Sequence, residues 1–146
     1  MIGIASDHGG FKLKQEIISY LKELGYPVID YGTMVEESVD YPEYAFKVGE
    51  AIQNKGINFG IIICTTGIGM SIACNKVVGV RCAKVDNLEE AKMTRLHNDS
   101  NVLALSASNK NAKEIVKIFL ETEFSNEERH IRRVNMIKKY EEKNEH

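Results

Sequence analysis

Short runs of apolar residues alternate along the chain with longer segments in which apolar residues recur every three or four positions. The runs predict five strands, at residues 2–5, 28–29, 59–64, 80–85 and 102–105. A segment of helical period follows each predicted strand, which is typical of a parallel sheet that helices cover on both faces. We therefore predict an α/β fold: one doubly wound, Rossmann-like domain over residues 1–146 with a five-stranded parallel sheet, whose strand order the pattern does not determine.

Individual residues mark where the predicted helices begin and end. Pro42 lies where the first turn of a helix tolerates proline, because that position needs no N–H donor. Asn87, with Glu90 three residues later, is typical of a capping box and predicts the start of a helix. From Ser125 onward the chain is polar with a thin apolar stripe. This pattern predicts a helical C-terminal extension whose last residues, 141–146, fray.

The composition is that of an ordinary globular protein, because 43% of the 146 residues are hydrophobic and 27% are charged. A net charge of −2 argues against broad nucleic-acid binding, and no apolar run approaches the roughly 20 residues of a membrane span. The three cysteines form no C-x-x-C pair, so neither a disulfide framework nor a zinc site is expected. Because the N-terminus resembles a strand and not a secretion signal, we expect a cytoplasmic protein without nucleic-acid or membrane partners.

Two segments with chemically active side chains follow the first and third predicted strands, at the sheet edge where ligands gather. They are Asp7-His8-Gly9-Gly10 and Cys64-Thr65-Thr66-Gly67-Ile68-Gly69. The glycines at 67 and 69 allow a tight turn that points successive amide N–H groups into one concavity, beside the positive end of a helix. The second segment lacks the Gly-Lys-Ser/Thr of a P-loop and the third glycine of a dinucleotide fingerprint, so it predicts a cradle for a small anion.

Cys64 lies at the mouth of this cradle. A thiolate beside a helix N-terminus can act as a base or a nucleophile, whereas a small buried cysteine that merely ends a strand is the alternative. Position alone leaves both interpretations open. Cys74 and Cys82 lie within a predicted helix and a predicted strand, where a packing role is favoured.

The histidines differ in what their positions predict. His8 follows Asp7 at the end of a strand, where a polar pair favours function over a plain capping or loop role. His97 ends a helix, where capping against the helix dipole is the alternative to catalysis. That helix runs back from the carboxyl edge of the sheet, so His97 should lie at the edge opposite Cys64. If both serve one site, His97 comes from another subunit, which predicts an oligomer with shared sites.

Three arginines of the C-terminal segment, Arg129, Arg132 and Arg133, share one helix face. Paired guanidiniums suit a phosphate, whereas a solvated surface paired with nearby glutamates is the alternative. Tyr41 is a candidate for the wall of a sugar pocket, with core packing as its alternative.

Several motifs in fixed order resemble ribose-5-phosphate isomerase B and its relatives, the galactose-6-phosphate isomerase subunits. The resemblance extends over essentially the whole chain. The motifs are Asp7-His8-Gly9-Gly10, Asp40-Tyr41-Pro42, Cys64-x-Thr66-Gly67-x-Gly69-x-Ser71-Ile72-Ala73, Asn75-Lys76, Gly79-x-Arg81, His97-Asn98-Asp99 and Arg129-His130-x-x-Arg133.

This resemblance implies an aldose–ketose isomerase that interconverts ribose 5-phosphate and ribulose 5-phosphate through a cis-enediol(ate), with no metal and no cofactor. Cys64 is then the base that moves a proton between C2 and C1, and His97 opens the furanose ring. Thr66 and the amides from Gly67 to Gly69 hold the enediolate oxygen. The other implied substrate contacts are Asp7, His8, Tyr41, Thr65, Ile68, Asn98, Arg129 and Arg133, of which His8 and the two arginines bind the phosphate. The family is dimeric or tetrameric, so we expect a homodimer or tetramer with active sites shared between subunits.

Two positions depart from the family pattern. Thr65 stands where the family usually has glycine, and a β-branched residue narrows the allowed backbone there. Ser106-Ala107-Ser108 replaces a Gly-x-Arg segment, so a phosphate-binding arginine is missing, with Ser108 or Lys110 as its candidate replacement. These departures keep a six-carbon substrate open, allose or galactose 6-phosphate. A phosphometabolite-binding module without catalysis is the alternative from another class.

Overall fold

Five parallel strands form one sheet in the order β2–β1–β3–β5–β4. The computed structural model describes residues 1–144. The strands are β1 (Ile2–Ser6), β2 (Val28–Asp30), β3 (Phe59–Cys64), β4 (Cys82–Lys84) and β5 (Val102–Ser106). The predicted five-stranded parallel α/β sheet is confirmed.

Helices connect the strands and continue beyond the last one. They are α1 (Phe11–Glu23), α2 (Tyr41–Gln53), α3 (Ile68–Cys74), α4 (Leu88–Asn98), α5 (Ala112–Glu121) and α6 (Glu128–Lys143). Across residues 1–144, no helix combines the length and the apolar character that crossing a membrane requires.

The C-terminal helix is longer than expected. The prediction that the chain frays from residue 141 is wrong, because α6 continues to Lys143. One carboxylate oxygen of Glu141 accepts a hydrogen bond from the Gly79 N–H at 2.9 Å, which ties this end of the helix to the loop before β4. The predicted fraying of residues 145–146 lies outside the described residues.

The sheet is covered on both faces, as a doubly wound fold requires. Ile61 and Leu103 belong to a core with α1 and α5 on one face. Ile62 and Ala104 belong to a second core with α2 and α3 on the other. Successive side chains of β3 therefore all meet apolar surroundings, which explains its continuous apolar run.

The fourth strand is shorter than its hydrophobic pattern predicts. Val80 and Val85 are both buried, but the regular pairing covers only Cys82–Lys84. The Val80 N–H donates to the Val77 carbonyl in a turn at 3.1 Å. The Asn75 side chain then brackets Cys82, donating to its carbonyl at 2.9 Å and accepting from its N–H at 2.8 Å.

The predicted helix starts are confirmed. Pro42 lies in the first turn of α2. The Asn87 Oδ1 accepts from the Glu90 N–H at 2.8 Å, which caps α4. The Glu90 carboxylate accepts in return from the Asp86 N–H, one residue earlier than in a reciprocal capping box.

The strand order creates a crevice at the carboxyl end of the sheet. β2 pairs with one side of β1 and β3 with the other, so the chain crosses over in opposite directions from β1. Ligands of open parallel sheets bind outside such a switch point. Asp7 follows β1 and Cys64 ends β3, so these two residues flank the crevice.

Candidate active site

Asp7 and Cys64 are neighbours across the switch point. Ser6 pairs in register with Ile63, and the Asp7 N–H donates to the Ile63 carbonyl at 3.1 Å. The Asp7 carboxylate accepts from the Gly10 N–H at 2.9 Å, which closes the turn before α1. Asp7 and Cys64 are both buried, so backbone hydrogen bonds hold a carboxylate and a thiol at one end of the sheet.

The thiol of Cys64 faces a backbone donor. Its Sγ accepts a hydrogen bond from the Gly67 N–H at 3.1 Å, and the residue is only 5% exposed. The loop after β3 therefore turns back on the end of the strand and directs a backbone N–H group at the sulfur of Cys64.

Gly67 allows the loop to turn into α3. Its φ is +81°, and a Cβ on it would lie 2.9 Å from the Leu105 carbonyl carbon, so a larger residue is excluded both by conformation and by space. Two of the predicted cradle amides already have partners: the Gly67 N–H donates to Cys64, and the Ile68 N–H donates to Thr66 Oγ1 at 3.2 Å. Thr66 thus accepts from the helix start while its own O–H remains a donor group.

Tyr41 covers the same loop from α2. A Cβ on Gly69 would lie 2.7 Å from two carbons of the Tyr41 ring, so the ring rests directly against the glycine backbone. Tyr41 remains partly exposed at the start of α2. Tyr44, one turn later, packs against Gly32 and the second core instead.

These residues enclose a cavity of about 470 Å³, a size that suits a small metabolite. Its lining residues are Asp7, Tyr41, Cys64, Thr65, Thr66, Ile68, Gly69 and Ile72. Seven of these eight residues are site residues that the sequence predicted, and the eighth, Ile72, was not predicted as one.

Thr65 forms the wall between this cavity and the loop after β1. A Cβ on Gly9 would lie 2.7 Å from Thr65 Oγ1, so the threonine side chain rests on Gly9 beside Asp7. The Ser106 hydroxyl donates to the Thr65 carbonyl at 2.8 Å and meets the Ser108 hydroxyl at 2.9 Å. The end of β5 thus anchors Thr65 through hydroxyl groups.

Ser108 and Lys110 lie away from the Cys64 cavity. Both line a separate cavity of about 420 Å³ between the N-terminal parts of α1 and α5. The residues around the Cys64 cavity do not include either candidate replacement for the missing arginine.

Four further predicted residues lie elsewhere in the chain. α4 ends at Asn98 just before β5 begins, at the amino edge of the sheet, and Asn98 lines a third cavity of about 360 Å³ beside α6. His97 stacks on His130, with ring centroids 4.2 Å apart. Arg129 and Arg133 are exposed on α6. One chain by itself therefore does not bring these residues into the cavity of Cys64.

Two of the residues predicted to bind phosphate, His8 and Arg129, are both exposed. His8 is exposed on the turn before α1, close in sequence to the Cys64 cavity but outside its lining. Arg129 Nε lies 3.4 Å from a Glu127 carboxylate oxygen, an exposed pair that holds the guanidinium weakly.

The other two thiols have surroundings unlike those of Cys64. Burial raises the pKa of Cys74 from 9.0 to about 12. Burial, followed by the proximity of Cys74, raises the pKa of Cys82 well above 9.0. Both thiols are thus held in the neutral form, which agrees with the packing role expected for them.

Two residues near functional positions, Ile72 and His130, were not among the site residues that the sequence predicted. Ile68 and Ile72 stand one helical turn apart and are 52% and 59% exposed, a spacing that marks a common helix face. His130 lies buried between α4 and α6, although a histidine in a polar helix does not by itself indicate burial. Within residues 1–144, no three His, Cys, Asp or Glu side chains converge in a way that would hold a metal ion.

Comparisons with known proteins agree on one family. The family model described as Ribose/Galactose Isomerase matches residues 2–137. Ribose-5-phosphate isomerase B of Escherichia coli K12 is 45% identical over 106 residues, which cover 73% of this chain and 71% of that protein. The structure of ribose-5-phosphate isomerase B from Clostridium thermocellum superposes with a TM-score of 0.94 at 48% identity over 99% of both chains. The Mycoplasma genitalium ribose-5-phosphate isomerase B, crystallised with bound ribulose 5-phosphate, gives a TM-score of 0.92 at 38% identity, over 98% of this chain and 97% of that one.

Proposed function

The chain belongs to the ribose/galactose isomerase family, and we propose that it interconverts ribose 5-phosphate and ribulose 5-phosphate. The predicted family resemblance is confirmed, as is the prediction of an enzyme of the aldose–ketose isomerase class. The observation that carries the choice of chemistry is the buried Cys64 thiol, which faces the Gly67 N–H in a cavity of about 470 Å³.

In the proposed reaction, Cys64 is the base. Its thiolate removes the proton from C2 of the open-chain aldose, and the electron pair of that C–H bond forms the enediolate double bond. The proton then returns to C1, while the C2 hydroxyl gives its proton to the C1 oxygen and becomes the ketone carbonyl, so no atom is gained or lost. A base close to the α-carbon and a donor close to the developing oxyanion are what this step needs.

The loop after β3 supplies the donors. The Thr66 Oγ1 atom accepts a hydrogen bond from the Ile68 N–H. The hydroxyl proton of Thr66 is not used in that bond, so it can be donated to a ligand. Thr66 and the Gly69 backbone stand on the cavity wall next to Cys64, where an enediolate oxygen would lie. Asp7, which also lines the cavity, offers carboxylate oxygens to the sugar hydroxyls.

We infer that the remaining groups come from a second copy of the chain. His97 would open the furanose ring, Asn98 would contact the sugar, and Arg129 and Arg133 would join His8 on the phosphate. The apolar face of Ile68 and Ile72 supports this inference, because it borders the cavity and is more than half exposed. A homodimer, or a tetramer built from such dimers, would cover it.

A six-carbon sugar phosphate is the second candidate substrate. The family pattern has an arginine just after β5, whereas this chain has Ser108, whose hydroxyl contacts that of Ser106. The phosphate therefore has one charged side chain fewer to bind than in the family pattern. A longer sugar would place its phosphate elsewhere.

A thiol base must also remain reduced, which fits the expected cytoplasmic location.

The test compares two buried thiols. Cys64→Ala should lower kcat on ribose 5-phosphate by about a thousandfold, within the range of a lost general base, and should leave sugar-phosphate binding measurable by calorimetry. Cys74→Ala, the matched control, should keep kcat within about twofold. Wild-type kcat in Cys64→Ala would show that the base is another residue. A higher kcat/KM on allose or galactose 6-phosphate would replace the pentose assignment, and binding without turnover of any of these sugars would favour the binding module.

A further inference from the structure

Two histidine rings lie face to face between α4 and α6. His97 is in the last turn of α4 and His130 is in the first turn of α6. Their ring centroids are 4.2 Å apart and their planes differ by 16°, which is a nearly parallel stack. His97 is half-buried, so its ring has one covered face and can still reach outward.

His130 is held as a neutral ring. Only 6% of the residue is exposed, and within residues 1–144 its Nε2 has no hydrogen-bond partner. Burial lowers the pKa of His130 first, and the positive charges of His97, Arg129 and Arg133 lower it further, opposed by Glu127. The Glu127 carboxylate lies 3.6 Å from Nε2, too far for a hydrogen bond, and the helix N-terminus also disfavours a cation.

We propose that His130 is a positioning residue that clamps the His97 ring in the orientation from which it transfers protons. This inference rests on the proposed function, in which His97 opens the sugar ring. Rotation of the His97 ring about its Cβ–Cγ bond would break the face-to-face contact, so the stack restricts that rotation. A neutral partner accepts a protonated His97 better than a second cation would, because like charges repel at this distance.

The matched variants are His130→Phe and His130→Leu. Phenylalanine keeps a flat ring against His97, whereas leucine fills similar space without one. With ribose 5-phosphate as substrate, we expect His130→Leu to lower kcat about tenfold with KM within about twofold, since a misplaced proton-transfer group affects the chemical step more than binding. His130→Phe should restore kcat to within about twofold of wild type.

A spectroscopic measurement follows the stack without any turnover. The His97 Hε1 resonance of ring-labelled protein should be shifted upfield by the ring current of its partner, remain so in His130→Phe, and move downfield in His130→Leu. In the wild-type protein, the His130 ring should protonate at lower pH than a free histidine. The wild-type spectra test the stack even where a variant folds poorly.

The outcomes separate the two proposals. If wild-type protein does not convert ribose 5-phosphate, the proposed function fails, while the spectra still report on the stack. If the enzyme is active but His130→Leu has wild-type kcat, or if leucine and phenylalanine are equally impaired, the positioning role is overturned. An unshifted His97 resonance, or a His130 that protonates like free histidine, would overturn it as well.

Discussion

At the scale of single residues, the three cysteines show how surroundings decide what a thiol can do. Cys64 faces a backbone N–H at the wall of a cavity, whereas burial holds Cys74 and Cys82 in the neutral form. All three are small residues in apolar segments, so composition alone does not distinguish them. What distinguishes Cys64 is its place at the end of a strand, directly before a turn.

Thr65 is the residue at which substrate size should respond. Its side chain rests on Gly9 and narrows the cavity beside Asp7. Thr65→Gly should therefore raise kcat/KM for allose 6-phosphate relative to ribose 5-phosphate by about tenfold, the effect of a small change in pocket volume. Steady-state kinetics with both sugars measures this ratio.

The control for this prediction is Thr65→Ser, which keeps the hydroxyl and removes one methyl group. It should change the ratio by less than the glycine variant does. An unchanged ratio in Thr65→Gly would mean that the threonine does not limit the length of the sugar.

Which site residues the sequence reveals depends on what surrounds them in the chain. Cys64, Thr66 and Asp7 lie at the end of a strand or just after it, within three residues of a glycine, so strand ends and turns identify them. His130 is a polar residue of a mostly polar helix, and packing of α6 on α4 buries it. Burial that comes from a contact between distant helices leaves no local signal.

At the scale of elements, the turn from β3 into α3 depends on one glycine. Gly67→Ala places a Cβ at φ +81° and 2.9 Å from the Leu105 backbone, and it strains the loop that directs an N–H group at Cys64. We expect a loss of about 2–4 kcal/mol in the free energy of unfolding, combining left-handed strain with the steric clash, and a reduced kcat. Chemical denaturation and kinetics measure the two effects.

Gly25→Ala is the matched control, because Gly25 has φ +88° with nothing within 4 Å of an added Cβ. It should lose only the strain component, roughly 1–2 kcal/mol, and keep full activity. Equal losses in the two variants would mean that the contact with Leu105 relaxes without cost.

Element boundaries were predicted best where a cap or a turn residue marks them. Pro42 and Asn87 identify the starts of α2 and α4 because their own chemistry suits a helix N-terminus. The prediction for strand β4 is too long at both ends: Val80 is buried in a turn, and Val85 follows the strand with one further backbone hydrogen bond, from its N–H to the Ala104 carbonyl at 3.1 Å. Hydrophobicity reports burial, and only backbone pairing defines the strand.

At the scale of the whole molecule, the sequence predicted the layers but not the order of the strands. Period and run length indicate which face of an element is covered, and both are local properties. The position of β5 between β3 and β4 depends on pairing between strands that are distant in sequence, and no local pattern specifies it. The switch point at β1 and β3, and with it the position of the Cys64 cavity, became visible only with that order.

The separation of His97 from Cys64 within one chain leads to a prediction about the assembly. If each site combines Cys64 of one copy with His97 of another, then Cys64→Ala and His97→Ala should each be inactive as pure proteins. Mixed dimers of the two contain one site with both groups intact and one with neither. Random reassociation should therefore recover about a quarter of wild-type activity per chain, because half of the dimers are mixed and half of their sites are intact.

The mixing experiment has an internal control. The control mixture contains Cys64→Ala and the double variant Cys64→Ala, His97→Ala. Refolding them together also gives mixed dimers, but neither chain carries Cys64, so no site holds both groups and no activity should return. If the two single variants also fail to complement each other while both fold and associate, the imidazole and the thiol act within one chain or not at all. Recovery in the first mixture alone assigns the two groups to different copies, because only a shared site can be rebuilt from two defective chains.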